Sequence, residues 1–169
     1  MIKICHDNRH NLRFKTNEIS EENSPKEYCS WDEIEFLTKV LAYKIQRSNK
    51  RYDTILGITN GGIIPARLMA RELDINHIQF IPIKDKKIQN DKMPQLFKDK
   101  KYLIIDDIYD NGDTFSQASD IIKLFNCDFG VLMCRYKQNN SVLVGKILNH
   151  RMWIVFPWER RNHMKIHSK

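Results

Sequence analysis

With 169 residues, 41% of them hydrophobic and 29% charged, the chain is the size of one domain with a substantial core, and its composition is that of an ordinary soluble protein. No apolar run approaches the roughly 20 residues of a membrane helix, and residues 1–7 hold no apolar stretch long enough for a secretory signal, so a cytoplasmic location with no membrane partner is expected. Much of the net charge of +7 sits in residues 84–101 and 160–169, where aromatics do not interleave with the basic residues; a nucleic-acid partner is not expected, and the excess suits a polyanionic small ligand drawn in by electrostatic focusing.

Residues 1–28 are polar and irregular and are read as an arm or extension. Cys5, His6, Asp7 and His10 form a loose cluster there, weak as a metal site. Ser30-Trp31-Asp32-Glu33 fits a capping box, and Ile34, Leu37, Leu41 and Ile45 follow at helical spacing. Residues 53–58 read as the first core strand. Thr59-Asn60-Gly61-Gly62 is a strand-to-helix turn whose glycines let the backbone approach an anion closely. Pro65 suits the first turn of the next helix, with Ala66, Met69, Ala70 and Leu73 on its buried face. Residues 78–83 predict another strand. The stretch 84–100 is highly charged and weakly patterned. Such a length is uncommon in a compact domain unless it is functional or disordered, and it is read as a loop able to close over a site.

Residues 102–105 are an apolar strand, with Asp106 and Asp107 expected at its end. A short loop then holds Asp110, Asn111, Gly112, Asp113 and Thr114. A helix is predicted from 114 to about 125, with Phe115, Ala118, Ile122 and Phe125 inward. In parallel sheets ligands bind outside the carboxyl ends of strands. A helix N-terminus offers free N–H groups and partial positive charge to a phosphate, and ionised aspartates accept hydrogen bonds from hydroxyls. Phosphate on one side and a diol on the other describe a sugar phosphate. Residues 129–134 form the next strand, 143–148 are ambiguous, and 152–156 read as a late strand stopped by Pro157. Strands alternating with helices imply an α/β, doubly wound, parallel sheet. The four cysteines, at 5, 29, 127 and 134, form no Cys-x-x-Cys pair, so neither zinc nor redox chemistry is suggested. Cys127 and Cys134 are expected as small buried hydrophobes. Neither a Gly-x-x-x-x-Gly-Lys-[Ser/Thr] run nor a Gly-x-Gly-x-x-Gly run occurs, which excludes a P-loop NTPase and leaves no dinucleotide fingerprint.

The 102–114 run resembles the signature by which type I phosphoribosyltransferases bind phosphoribosyl pyrophosphate (PRPP): a hydrophobic strand, two acids, two variable residues, then Asp-Thr-Gly-x-Thr. Asn111 stands where threonine is usual. The 59–62 turn matches the family's pyrophosphate loop in position, with Asn60 where Arg or Lys commonly precedes the glycines. Met152-Trp153-Ile154-Val155-Phe156-Pro157-Trp158-Glu159 resembles the xanthine–guanine branch, which carries Trp-Ile followed by Pro-Trp and an acid. The resemblance spans roughly residues 30–159. It implies a doubly wound, mainly parallel sheet with helices on both faces and a small base-binding hood, as one domain at 29–160 between the arm at 1–28 and a basic tail at 161–169.

The activity implied is that of a homo-oligomeric, Mg²⁺-dependent purine phosphoribosyltransferase. It would transfer the phosphoribosyl group of PRPP to xanthine, guanine or hypoxanthine and release pyrophosphate. Asp106 and Asp107 would hold the ribose hydroxyls and the metal shell. Asp110, Asn111, Gly112, Asp113 and Thr114 would cradle the 5′-phosphate, with Asp110 also the proton acceptor near purine N7. Thr59, Asn60, Gly61 and Gly62 would bind pyrophosphate. Trp153 and Ile154 would cover the base, and Arg135 or Lys137 would meet its 6-oxo group. Two further readings stand beside this one: a non-catalytic PRPP or nucleotide-binding regulator on the same fold, with or without nucleic-acid binding, and a transferase for a pyrimidine or other acceptor. Fold analogy alone does not choose among them.

Overall fold

The computed structural model describes residues 25–85, 87–135 and 142–159. The Cys5–His10 cluster, Lys137, the basic tail and the side chain of Ile122 lie outside the described residues.

Five parallel strands form the central sheet. They are β2 (Thr54–Ile58), β3 (Ile78–Ile81), β6 (Lys101–Tyr109), β7 (Asn126–Arg135) and β8 (Val142–Leu148), in the order β3-β2-β6-β7-β8. β6 lies in the middle, and residues 102–105 are almost fully buried. That explains its unbroken apolar run, because a strand covered on both faces has no polar side to show. Leu103 and Ile105 join the core beneath α1 (Trp31–Arg47) and α2 (Ile63–Glu72). Tyr102 and Ile104 join the opposite core beneath α3 (Asp113–Leu124). The expected architecture, helices on both faces of a parallel sheet, is therefore the one observed.

At the start of α1, Ser30 Oγ accepts from Glu33 N at 3.1 Å. Only this half of the capping box forms, since Glu33 Oε1 instead receives Lys146 Nζ at 2.8 Å. Residues 143–148, ambiguous by pattern, belong to β8. A second, two-stranded sheet stands apart: β1 (Lys26–Tyr28) pairs in parallel with β9 (Trp153–Val155). Residues 26–28, too polar to read as a strand, are fixed by backbone pairing with β9, which joins the two ends of the domain into the hood. Cys134 is buried as expected, whereas Cys127 is only half-buried.

Two expectations are corrected. The strand carrying the acidic pair does not stop at residue 105. It runs to Tyr109, because β7 is long enough to supply ladder partners as far as Cys134, with Asp106 opposite Val131 and Tyr109 opposite Cys134. The charged segment 84–100 is also not a bare loop. β4 (Ile83–Lys84) and β5 (Lys87–Ile88) form an antiparallel hairpin, and a 3-10 turn follows at Asn90–Lys92. Ile88, Met93 and Leu96 are spaced so that they pack on the α3-side core. Gln117 Oε1 accepts from Ile88 N at 3.1 Å, and Tyr102 Oη accepts from Phe97 N at 2.8 Å. Among the described residues, no helix is long and apolar enough to cross a membrane.

Candidate functional site

At the carboxyl end of the sheet lies a cavity of about 390 Å³, within the size range of small-molecule sites. β6 and the loop after it supply one continuous stretch of its lining, residues 106–115. Side chains alternate along a strand, so Asp106 and Asp107 leave β6 on opposite faces, and both line the cavity. They are 6% and 8% exposed. Asp106 Oδ1 accepts from Asp107 N at 3.0 Å, and Asp107 Oδ1 accepts from Ile108 N at 2.7 Å.

Two neighbouring carboxylates withdrawn from water resist ionising together. Burial, and then the charge of Asp107, push Asp106 well above the ordinary carboxylate range. Burial pushes Asp107 up to about 6, with the charge of Glu159 adding to the effect against hydrogen bonds that oppose it.

The turn after β2 fits closely under this pair. The Thr59–Asn60 peptide is cis. A Cβ on Gly61 would overlap the carboxylate of Asp107, and one on Gly62 would overlap Ile105 O. Glycine is needed at both positions for the loop to lie against β6. Of the four turn residues expected at the site, Thr59 and Gly61 line the cavity, Gly62 is buried beside them, and Asn60 is exposed outside it.

Gly112, at φ +84°, turns the chain into α3, a backbone state that costs glycine little. Asn111 Oδ1 accepts from Asp113 N at 3.1 Å, while Asn111 Nδ2 donates to Asp113 Oδ2 at 2.6 Å. The asparagine in the unusual position thus clasps the first helical residue. It occupies one N–H of the helix terminus and holds a carboxylate beside the others. Arg135 Nε donates to Asp110 Oδ1 at 2.6 Å, so two residues expected in different roles are brought into one ion pair.

The hood closes the other side. Trp153, 38% exposed, and Ile154, nearly buried, both line the cavity. Trp158 does not; it stacks on Phe156 with ring centroids 4.8 Å apart. Several lining residues escaped the sequence reading. Tyr109, Phe115 and Phe129 form an aromatic chain with centroid separations of 5.8 and 5.2 Å. Their spacing signals core packing as readily as a site wall. Glu159 also faces the cavity and accepts from Phe156 N through Oε2 at 3.0 Å. The acid closing the Pro-Trp-Glu run was the available signal for it.

Among the described residues, the cavity therefore presents five carboxylates, Asp106, Asp107, Asp110, Asp113 and Glu159, against the single guanidinium of Arg135. No three His, Cys, Asp or Glu side chains among the described residues converge into a ready-made metal cage. Where its carboxylates ionise, such a wall disfavours a bare polyanion. It fits a hard divalent ion that keeps waters and takes most of its ligands from the incoming molecule.

Residues 24–138 match the phosphoribosyl transferase domain. The chain is 32% identical over 139 residues to the xanthine-guanine phosphoribosyltransferase of Desulfotalea psychrophila, a match covering 77% of this chain and 84% of that protein. Its fold is similar to the crystal structure of the purine phosphoribosyltransferase from Pyrococcus horikoshii, with TM-score 0.63 and 26% identity over 80% of this chain and 95% of that one. It is also similar to the xanthine-guanine-hypoxanthine phosphoribosyltransferase of Helicobacter pylori, with TM-score 0.68 and 17% identity over 79% and 93% of the two chains.

Proposed function

The chain belongs to the type I phosphoribosyltransferase family, and from that premise we propose that it transfers the phosphoribosyl group of PRPP to a 6-oxopurine: xanthine, guanine or hypoxanthine. In this reaction the bond from C1′ to pyrophosphate oxygen breaks, the bond from C1′ to the purine nitrogen forms, and the base gives up a proton. The observation that carries the proposal is the pairing, in one cavity, of a buried acidic dyad on β6 with the Gly112 turn and the N-terminus of α3.

Asp106 and Asp107 accept hydrogen bonds from the ribose hydroxyls. Backbone N–H groups at Thr114 and Phe115 face the 5′-phosphate. The turn at Thr59 and Gly61 lies where pyrophosphate leaves, and Asp110 takes the base proton, a task for a carboxylate held beside the reacting base. Trp153 and Ile154 cover the purine face. Asp106 and Asp107 would hold Mg²⁺, which would supply positive charge to offset that of the departing pyrophosphate. The protein's share of catalysis is then to position base and sugar and to stabilise charge developing at C1′.

A turnover assay with PRPP, Mg²⁺ and each of the three bases tests the proposal. Formation of nucleoside 5′-monophosphate and pyrophosphate is the expected result. The regulator reading has two features in its favour, the exposed Asn60 and the Asn111–Asp113 clasp; measurable PRPP binding with no product from any base would replace the enzyme by that reading.

The clasp carries its own prediction. A carboxylate about 4 Å from a phosphate opposes it by about 1 kcal/mol even in water, a factor of about five. Asp113→Asn keeps the size of the side chain and removes the charge. Its KM for PRPP is expected to fall by roughly that factor. Steady-state titration of PRPP checks this, and an unchanged KM would place the Asp113 charge away from the phosphate.

A further inference from the structure

Arg135 ends β7 and is 7% exposed. Its position suggested contact with the base, yet its hydrogen bonds run to the protein. Nε donates to Asp110 Oδ1 at 2.6 Å, and Nη1 donates to His150 O at 2.8 Å and Met152 O at 3.0 Å. The two carbonyls lie just before β9, the strand that carries Trp153 and Ile154 into the cavity. One planar group therefore spans from the loop after β6 to the hood.

Ile154 and Phe156 of the hood also pack into the core that holds Leu103 and Ile105 of β6. Among the described residues β9 pairs with β1 alone. His150 Nε2 lies 2.7 Å from Glu27 Oε2, which joins the same turn to β1, and Lys146 Nζ of β8 lies 3.7 Å from Glu27 Oε1. Of these links, the Arg135 guanidinium alone also grips a residue assigned to the chemistry.

Resting on the transferase reading, we infer that Arg135 is a positioning residue. It acts through Asp110, fixing that carboxylate against the hood so that the proton acceptor and the Trp153–Ile154 wall keep a set separation, and it does not read the purine 6-oxo group through Nε or Nη1. A guanidinium suits this because its donors point along fixed, separate directions. An ammonium at the same place is a single point charge and cannot serve both walls in the same geometry. A buried guanidinium stripped of its acceptors is costly, which keeps the three bonds intact while the base enters.

The test is Arg135→Lys in the wild-type and Asp110→Asn backgrounds, assayed with PRPP, Mg²⁺ and guanine. Positioning through Asp110 predicts that R135K lowers kcat by about 30-fold or more with the KM for guanine shifted less than about three-fold. In the D110N background the same substitution is then expected to cost less than about three-fold, because the group it positions is already disabled. A base reader behaves oppositely: the KM for guanine rises ten-fold or more, by a similar factor in both backgrounds, and that result overturns the inference. A second measurement needs no variant. Crystals of the wild-type protein soaked with guanosine 5′-monophosphate are expected to retain the Arg135 bonds to Asp110, His150 and Met152, whereas Nε or Nη1 turned onto the 6-oxo group overturns it. If the wild-type protein neither turns over nor binds the nucleotide, the transferase reading itself fails, an outcome distinct from additive kinetics in an active enzyme.

Discussion

Asp110→Asn is expected to lower kcat by roughly 10²–10⁴-fold, the usual worth of a general base, while leaving the fold almost untouched. The choice of asparagine follows from the ion pair. Asp110 Oδ1 accepts from Arg135 Nε at 2.6 Å, and an amide oxygen in the same place can accept that bond too. The substitution thus removes the proton acceptor and keeps Arg135 in position. Asp110→Ala removes both. It is expected to lose activity to at least the same degree and, in addition, to lose about 1–3 kcal/mol of stability, because a buried donor is left without its acceptor. For a chain of this size each kcal/mol moves the melting temperature by about 2–4 °C. Rate and thermal melting measured on both variants separate the two roles of the side chain. A D110N protein that turns over at the wild-type rate removes Asp110 from the chemistry, whatever D110A does to the melting temperature.

The part of this site legible in the sequence is the part built by local chain. An unbroken apolar run, two acids, a glycine turn and a helical pattern between residues 102 and 125 are enough to place the strand, the turn and the helix start, because each is set by residues adjacent in sequence. Features that depend on distant partners were hidden. β6 outlasts its apolar run by four residues because β7, a separate strand, offers backbone to pair with. β1 is a strand only because β9 lies beside it, since Lys26, Glu27 and Tyr28 carry no apolar pattern of their own. The Asp110–Arg135 bond joins residues 25 apart in sequence, and neither identity announces the other. Composition also misleads at 84–100, where few apolar residues among many charges still anchor a hairpin, because three of them suffice to bury one side. The net charge of +7 suits electrostatic focusing of a polyanion, but it does not describe the site. Among the described residues the cavity wall is instead acidic, with five carboxylates and one guanidinium.

That acidity underlies the second large effect, and it predicts that the unliganded protein becomes more stable when its binding carboxylates are removed. Asp107 in the folded state is pushed up to about 6, against an ordinary value of 3.8. The folded protein then binds this proton more tightly than the unfolded chain, so the favourable contribution is largest below about pH 4 and is lost as pH rises towards 6. Above pH 6 the ionised, buried group costs the fold about 3 kcal/mol at most, two pKa units at about 1.4 kcal/mol each. Asp106 is displaced in the same direction and adds to the effect. Asp106→Asn combined with Asp107→Asn is therefore expected to melt several degrees above wild type at pH 8, with the difference shrinking towards pH 4. Both amide oxygens can still accept the backbone bonds from Asp107 N and Ile108 N. The same variant is expected to show no rise in melting temperature with PRPP and Mg²⁺, whereas wild type rises, since a ligand stabilises only the state that binds it. The wild-type response is expected to strengthen as pH climbs through 6 and Asp107 ionises. Stability gained and ligand response lost in one protein would mean that the fold sustains this strained pair for the sake of binding. A double variant that melts lower than wild type at pH 8 would mean instead that the pair supports the fold, and the electrostatic account of the site would have to be abandoned.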